Sequence, residues 1–302
     1  MAGVFTLMRI RLTYLTVVLL WTTTPLAIKW SGEGPGFLFG VTARMTIGMA
    51  CLLLALLYTQ KPLAWYPKAL LTYLAVALQI YGCMLPTYWA AQFIPSGWIS
   101  VIFGLTPLIT ALLSAMFLGE RSLTLGKLTS YSLGIAGLVV MFGSALKLGH
   151  SAVLGIGAVL FSAGLQAACS VWIKCIGAKL PARAQVTGGL LIALPAYLVT
   201  WSLADGQWPT VWTTTSVAAI IYLGVIATTI GFTFYFYLLT HLSVTRVALI
   251  SLITPLLALL LGHFINHEML GIKVVTGTVL ILLALILHEF FERLPSINLK
   301  SK

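Results

Sequence analysis

Arg44 is the residue whose position most demands a chemical account. It lies eight residues after Gly36, inside an apolar run over about 36–58. At ~1.5 Å per helical residue, that is about 12 Å below the start of the run. An unpaired guanidinium at such depth costs at least roughly 2.5–3.5 kcal/mol on insertion scales. Arg44 must therefore face neighbouring helices or a wet cavity. There it can grip a carboxylate through two parallel N–H···O bonds. It can equally bond backbone carbonyls or a partner near the end of the run. Both readings stay open.

Other aromatic and polar residues recur at comparable depth. Trp21 stands near the middle of the first run, where an aromatic face can line a solute cavity or fill a core. Gln79, Thr106, Gln166, Thr228, Thr229 and Ser251 all fall within about two helical turns of the centre of a run. A buried amide seeks a partner, either a solute or another helix, and the hydroxyls can also bond their own backbone. Lys29 reads either as a charge snorkelling to the interface or as a gate charge paired with Glu33. No Asp or Glu lies at the centre of a run, which argues against a carboxylate proton relay. His263 and His267 have a spacing that can ligate a metal, but no third ligand is near. The chain has no GxxxxGKS or GxxxxGKT loop, no HExxH and no GxSxG, so neither a nucleotide-driven pump nor a hydrolase is indicated. No catalytic residue, metal or cofactor is expected.

These residues need a scaffold suited to an almost wholly apolar chain. Of 302 residues, 60% are hydrophobic and 8% charged, against about 25% charged in soluble domains. The apolar residues fall in runs of about twenty, the length that crosses ~30 Å of hydrocarbon. Ten runs lie near 12–30, 36–58, 69–91, 96–118, 124–143, 152–173, 184–204, 214–239, 244–265 and 271–289. They should be helices, because lipid cannot satisfy an exposed backbone. The first reads as a span and not a signal peptide: it lacks a small-residue cleavage site and contains Pro25.

The formal charge of +11 would suggest nucleic acid in a soluble protein. Here the basic residues are scattered through short loops, and no nucleic-acid partner is expected. With a cytoplasmic N-terminus, thirteen of the 17 Lys and Arg fall on that side, while Lys29, Lys147 and Lys273 fall on the other. The positive-inside bias then puts both termini in the cytoplasm and favours an even number of spans. The four cysteines read as small core residues.

The chain also repeats itself. Leu105-Thr106-Pro107-Leu108 returns as Ile253-Thr254-Pro255-Leu256, an offset of 148, and Glu120 returns as Glu268. A weaker match relates Trp21–Lys29 to Gln166–Lys174 at an offset of 145. A longer loop before the eighth span accounts for the difference. The halves are 1–146 and 147–302, five helices each. An odd number inverts the second half in the membrane, the plan of many secondary transporters, with the site near the midplane. Phe103 is then the counterpart of Ser251 and a candidate aromatic wall. Pro107 and Pro255 each remove a mid-helix hydrogen bond, giving either static kinks or hinges for rocking. Glu120 and Glu268 end the fourth and ninth spans on opposite sides, as gates or as caps of the helices that follow. Gly134, Gly137 and Gly188-Gly189 read as close helix packing.

Leu20-Trp21-Thr22-Thr23-Thr24-Pro25-Leu26-Ala27-Ile28-Lys29 resembles the first-helix signature of the EamA-type family in the drug/metabolite transporter superfamily. Arg44 stands where that family commonly has Arg, and Leu105-Thr106-Pro107-Leu108 through Phe117-Leu118-Gly119-Glu120-Arg121 resembles its fourth-helix signature. The second copy ends in His267-Glu268. Thr22 replaces the usual Gly, and Met269 the basic residue that often follows the Glu. The resemblance implies an all-α, ten-helix exporter in the bacterial inner membrane, moving amino acids, other metabolites or drugs by alternating access. The substrate site expected from the residues and the repeat comprises Trp21, Arg44, Gln79, Phe103, Gln166, Thr228 and Ser251. Hinges or gates are expected at Pro107, Pro255, Glu120 and Glu268. The expected partners are a small-molecule substrate and the bilayer, with the chain a monomer or homodimer. A flippase for a lipid-linked intermediate is the competing function.

Overall fold

The computed structural model describes residues 2–60, 62–119 and 125–293, and every regular element among them is helical. The first three runs are single helices, α1 (Ala2–Gly32), α2 (Phe37–Thr59) and α3 (Pro67–Ala90). The fourth run is two helices, α4 (Ser96–Phe103) and α5 (Thr106–Phe117), followed by α6 (Leu125–Leu148). In the second half come α7 (His150–Ile176) and α8 (Ala182–Ala204). The eighth run has three segments: α9 (Thr214–Ile221), π-helical turns over Tyr222–Phe232, and α10 (Thr233–His241). The ninth run is α11 (Val244–Ala248) and α12 (Ile250–Asn266), and α13 (Ile272–Arg293) follows.

Nine helical stretches among the described residues are long and apolar enough to cross a membrane. The expected span at 124–143 coincides with α6, which is not one of the nine. The two prolines expected as matching kinks differ in setting. Pro255 lies inside α12. Pro107 is the second residue of α5, because α4 has already ended in a turn at Gly104, whose N–H bonds to the Ser100 and Val101 carbonyls. The ninth run breaks earlier, at Leu249. Glu120 lies outside the described residues.

The two halves are related through their helices. α2 and α8 have the same length, and both ends differ by 145 residues (182 − 37 and 204 − 59). They run antiparallel. Phe39 at the start of α2 meets Trp201 near the end of α8, with ring centroids 5.9 Å apart, while Leu56 and Ala184, from the other ends, line one cavity. Equivalent helices in opposed directions are what an inverted repeat requires. The offset grows to 147 at the start of α9 (214 − 67) and 148 at α11 (244 − 96). The longer loop before α9 thus supplies most of the shift.

Glycines set the closest approaches between helices. A Cβ at Gly188 would sit 2.3 Å from the Tyr73 ring, and one at Gly137 would sit 2.7 Å from the Gly277 carbonyl. In lipid, where the hydrophobic effect between helices is absent, such backbone proximity is a main source of association.

Candidate functional site

Trp21, Arg44, Phe103, Gln166 and Ser251, five of the seven residues singled out in the sequence, line one interior cavity of about 70 Å³. They arrive from α1, α2, α4, α7 and α12. α3 adds Met84 and Thr87, and the π-helical turns add Phe232. The wall is otherwise apolar or hydroxyl-bearing and holds no carboxylate.

Arg44 is 1% exposed. Its Nε donates to Thr228 Oγ1 at 2.9 Å, and Nη1 reaches Tyr88 OH at 3.4 Å and Met84 Sδ at 3.9 Å. The guanidinium lies 5.8 Å from the centre of the Phe232 ring and 6.0 Å from that of Tyr88, close enough for cation–π attraction. Among the described residues, none of its partners carries negative charge. Thr228 is thus placed behind the cavity, as the oxygen that holds the guanidinium in position. Gly48 permits this: a Cβ there would meet Thr228 Cγ2 at 2.5 Å. The π-helical winding contributes as well, with Thr229 Oγ1 bonding the Gly224 carbonyl five residues back at 3.1 Å. Such turns insert a residue into the helical ladder and re-aim side chains.

Gln79 does not line the cavity. It is 7% exposed, and its Nε2 donates to Tyr235 OH at 3.2 Å and Ser170 Oγ at 3.4 Å. Tyr235 stacks on Trp21 with centroids 5.1 Å apart. Gln79 therefore buttresses the tryptophan wall from behind. Sequence reading missed Met84, Tyr88, Ser170, Phe232 and Tyr235, because nothing in an apolar helix marks which aromatic faces inward.

Prolines add a further feature. A proline withholds the N–H that would bond the carbonyl four residues earlier. For Pro25, Pro107 and Pro255 those carbonyls belong to Trp21, Phe103 and Ser251, all on the cavity wall. The matched prolines were legible in the sequence. The third, Pro25, belongs to the first-helix segment Leu20–Lys29 and is legible by the same subtraction.

A second polar cluster closes the face where α1 ends and α4 begins. Glu268 Oε1 accepts from the Ser96 N–H at 2.9 Å and from Asn266 Nδ2 at 2.9 Å, and Oε2 accepts from the Gly97 N–H at 3.4 Å. Lys29 Nζ is 3.6 Å from Glu268 Oε1, so its partner is Glu268 and not Glu33. Trp30 Nε1 donates to Asn266 Oδ1 at 3.0 Å. A carboxylate from the second half thus caps an α-helix of the first, where unpaired N–H groups and the helix dipole favour negative charge. The sequence expects a gate or a cap of the following helix at Glu268; the helix it caps is α4 and not α13, which follows it.

The sequence profile of the EamA-like transporter family matches residues 8–143 and again 153–288, the same 145-residue offset as α2 and α8. Among curated relatives, the uncharacterized transporter YoaV of Bacillus subtilis is 25% identical over 94% of this chain and 98% of its own. A probable amino-acid metabolite efflux pump of Escherichia coli is 26% identical over 65% of this chain and 68% of its own. A solved crystal structure shares the fold, with a TM-score of 0.70 at 23% identity, covering 95% of this chain and 99% of that one. Two matches of one family profile, spanning nearly the whole chain and coinciding with two antiparallel sets of helices, place this protein in the EamA-like transporter family.

Proposed function

We propose that this transporter exports small metabolites bearing a carboxylate, amino acids foremost, from the bacterial cytoplasm by alternating access, with Arg44 as the carboxylate anchor. Ten spans, counting α6, carry both termini to the cytoplasmic side, in keeping with the Lys and Arg distribution. The observation that carries the reading is a buried guanidinium at a cavity wall whose partners are all neutral. In a low-dielectric interior such a charge is costly unless an anion joins it. The carbonyls of Trp21, Phe103 and Ser251, each without an N–H donor four residues on, are acceptors suited to an ammonium group, and Trp21, Phe103 and Phe232 suit an apolar side chain. The name of the E. coli relative supports both amino acids and the outward direction.

Counterflow of labelled amino acids in proteoliposomes tests this. Wild type should show saturable exchange. Arg44→Ala should lose it, and Arg44→Lys should keep a fraction, since an ammonium preserves charge but not the bidentate fork. Folded protein that exchanges no such solute would overturn the reading and favour a lipid-linked substrate.

A further inference from the structure

A cavity of about 950 Å³ opens on the face where α1 and α8 begin and α2 ends. Arg9 and Arg183 line it, and among the described residues no Asp or Glu does. The Arg9 guanidinium is held over the Tyr237 ring, 5.2 Å from its centre. Below the two arginines the wall is apolar, with Leu12, Leu52, Leu56 and Leu180. The Thr16, Thr59, Thr187 and Thr233 hydroxyls donate to backbone carbonyls four residues earlier. The positive-inside bias explains cations on this face. It does not explain their collection around an apolar chamber without acids.

The inverted repeat indicates that the chamber is no accident of loose packing. The 145-residue offset maps Ala184 onto Phe39 and Leu56 onto Trp201. On the opposite face those two aromatics pack together, joined by Trp208 and Trp212 at centroid distances of 5.5–5.9 Å. The pair that meets through aromatic rings on one face corresponds to Ala184 and Leu56 on the chamber wall of the other.

We propose that this chamber is a second ligand site, a vestibule that takes an amphipathic anion, with Arg9 and Arg183 on the acid group and the leucines on an apolar body. The ligand chemistry is shared by a free carboxylate solute and an anionic lipid headgroup. As the first station on the way to Arg44 the site rests on the transport reading, but binding in it does not.

Labelled octanoate binding to the full chain in phosphatidylcholine nanodiscs is the test. Wild type should bind it in preference to octylammonium. The variant with Arg9→Gln and Arg183→Gln should bind roughly five- to tenfold more weakly, as expected for losing two partly solvated charge contacts. Leu56→Trp with Ala184→Phe, which copies the plug of the other face, should abolish binding. Arg44→Ala should leave it unchanged, so transport can fail without this site failing. Equal affinity in the arginine double variant and wild type would overturn the proposal, as would octylammonium binding as well as octanoate. Replacing part of the phosphatidylcholine with phosphatidylglycerol identifies the source: competition with octanoate assigns the site to lipid headgroups, and no competition assigns it to the solute.

Discussion

Arg44 Nε has the Thr228 hydroxyl to donate to, and that bond sets where the guanidinium points. Thr228→Val keeps the shape and removes the oxygen. Interhelical bonds of this kind are worth roughly 0.6–2 kcal/mol, so the protein should fold, while KM for counterflow rises severalfold and kcat falls little. An unchanged KM would show that Thr228 does not orient the anchor. Gln79 works one layer further out, through Tyr235 onto Trp21. Gln79→Leu should thus cost less transport than Arg44→Ala in the same assay. The sequence named Arg44, Trp21 and Gln79 by their rarity in apolar runs. It could not rank them, because lining a wall and bracing it are equally polar positions in a linear pattern.

At the scale of helices, the capping of α4 by Glu268 ties the second half to the first on one face. A carboxylate can hold Lys29 and two backbone N–H groups at once, whereas an amide loses the charge that both attract. Glu268→Gln should therefore loosen that face. The readout is modification of a cysteine placed at Ser251 by an impermeant thiol reagent added from the Lys29 side, in a background lacking the exposed Cys175. The rate should rise severalfold, and an unaltered rate would make Glu268 a static cap. Packing between α3 and α8 is more rigid. Gly188→Leu would drive a side chain into the Tyr73 ring, and overpacking of this kind costs about 1–3 kcal/mol. A lowered unfolding temperature in detergent is expected, and an unchanged one would mean that Tyr73 can move aside. The glycine pair signalled close packing in the sequence. The partner ring, 115 residues away (188 − 73), did not.

For the whole molecule, the charge distribution and the helix count make one joint prediction. Both termini should report from the cytoplasm, and the loop containing Gly206 from the other side. A fluorescent fusion at the C-terminus should be bright, and a phosphatase inserted at Gly206 should be active. Termini on opposite sides would remove α6 from the set of spans. The two faces differ: the Arg9–Arg183 face holds a large chamber, while on the Lys29 face Glu268 pairs with Lys29 and Phe39 packs against three tryptophans.

Apolar run length, scattered basic loops and the Thr-Pro-Leu echo are properties of local sequence, and they sufficed for a helical membrane protein in two related halves. Membrane helices must satisfy their own backbone, so length and composition dictate them without reference to neighbours. Tertiary structure decided which polar residues meet. A helix can turn about its axis at little local cost, and π-helical turns such as Tyr222–Phe232 shift the facing by a fraction of a turn. The Arg44–Thr228 bond, the retreat of Gln79 from the cavity and the Lys29–Glu268 pair depend on those rotations, and for the first of them the close approach of Gly48 to Thr228 joins helices far apart in the chain.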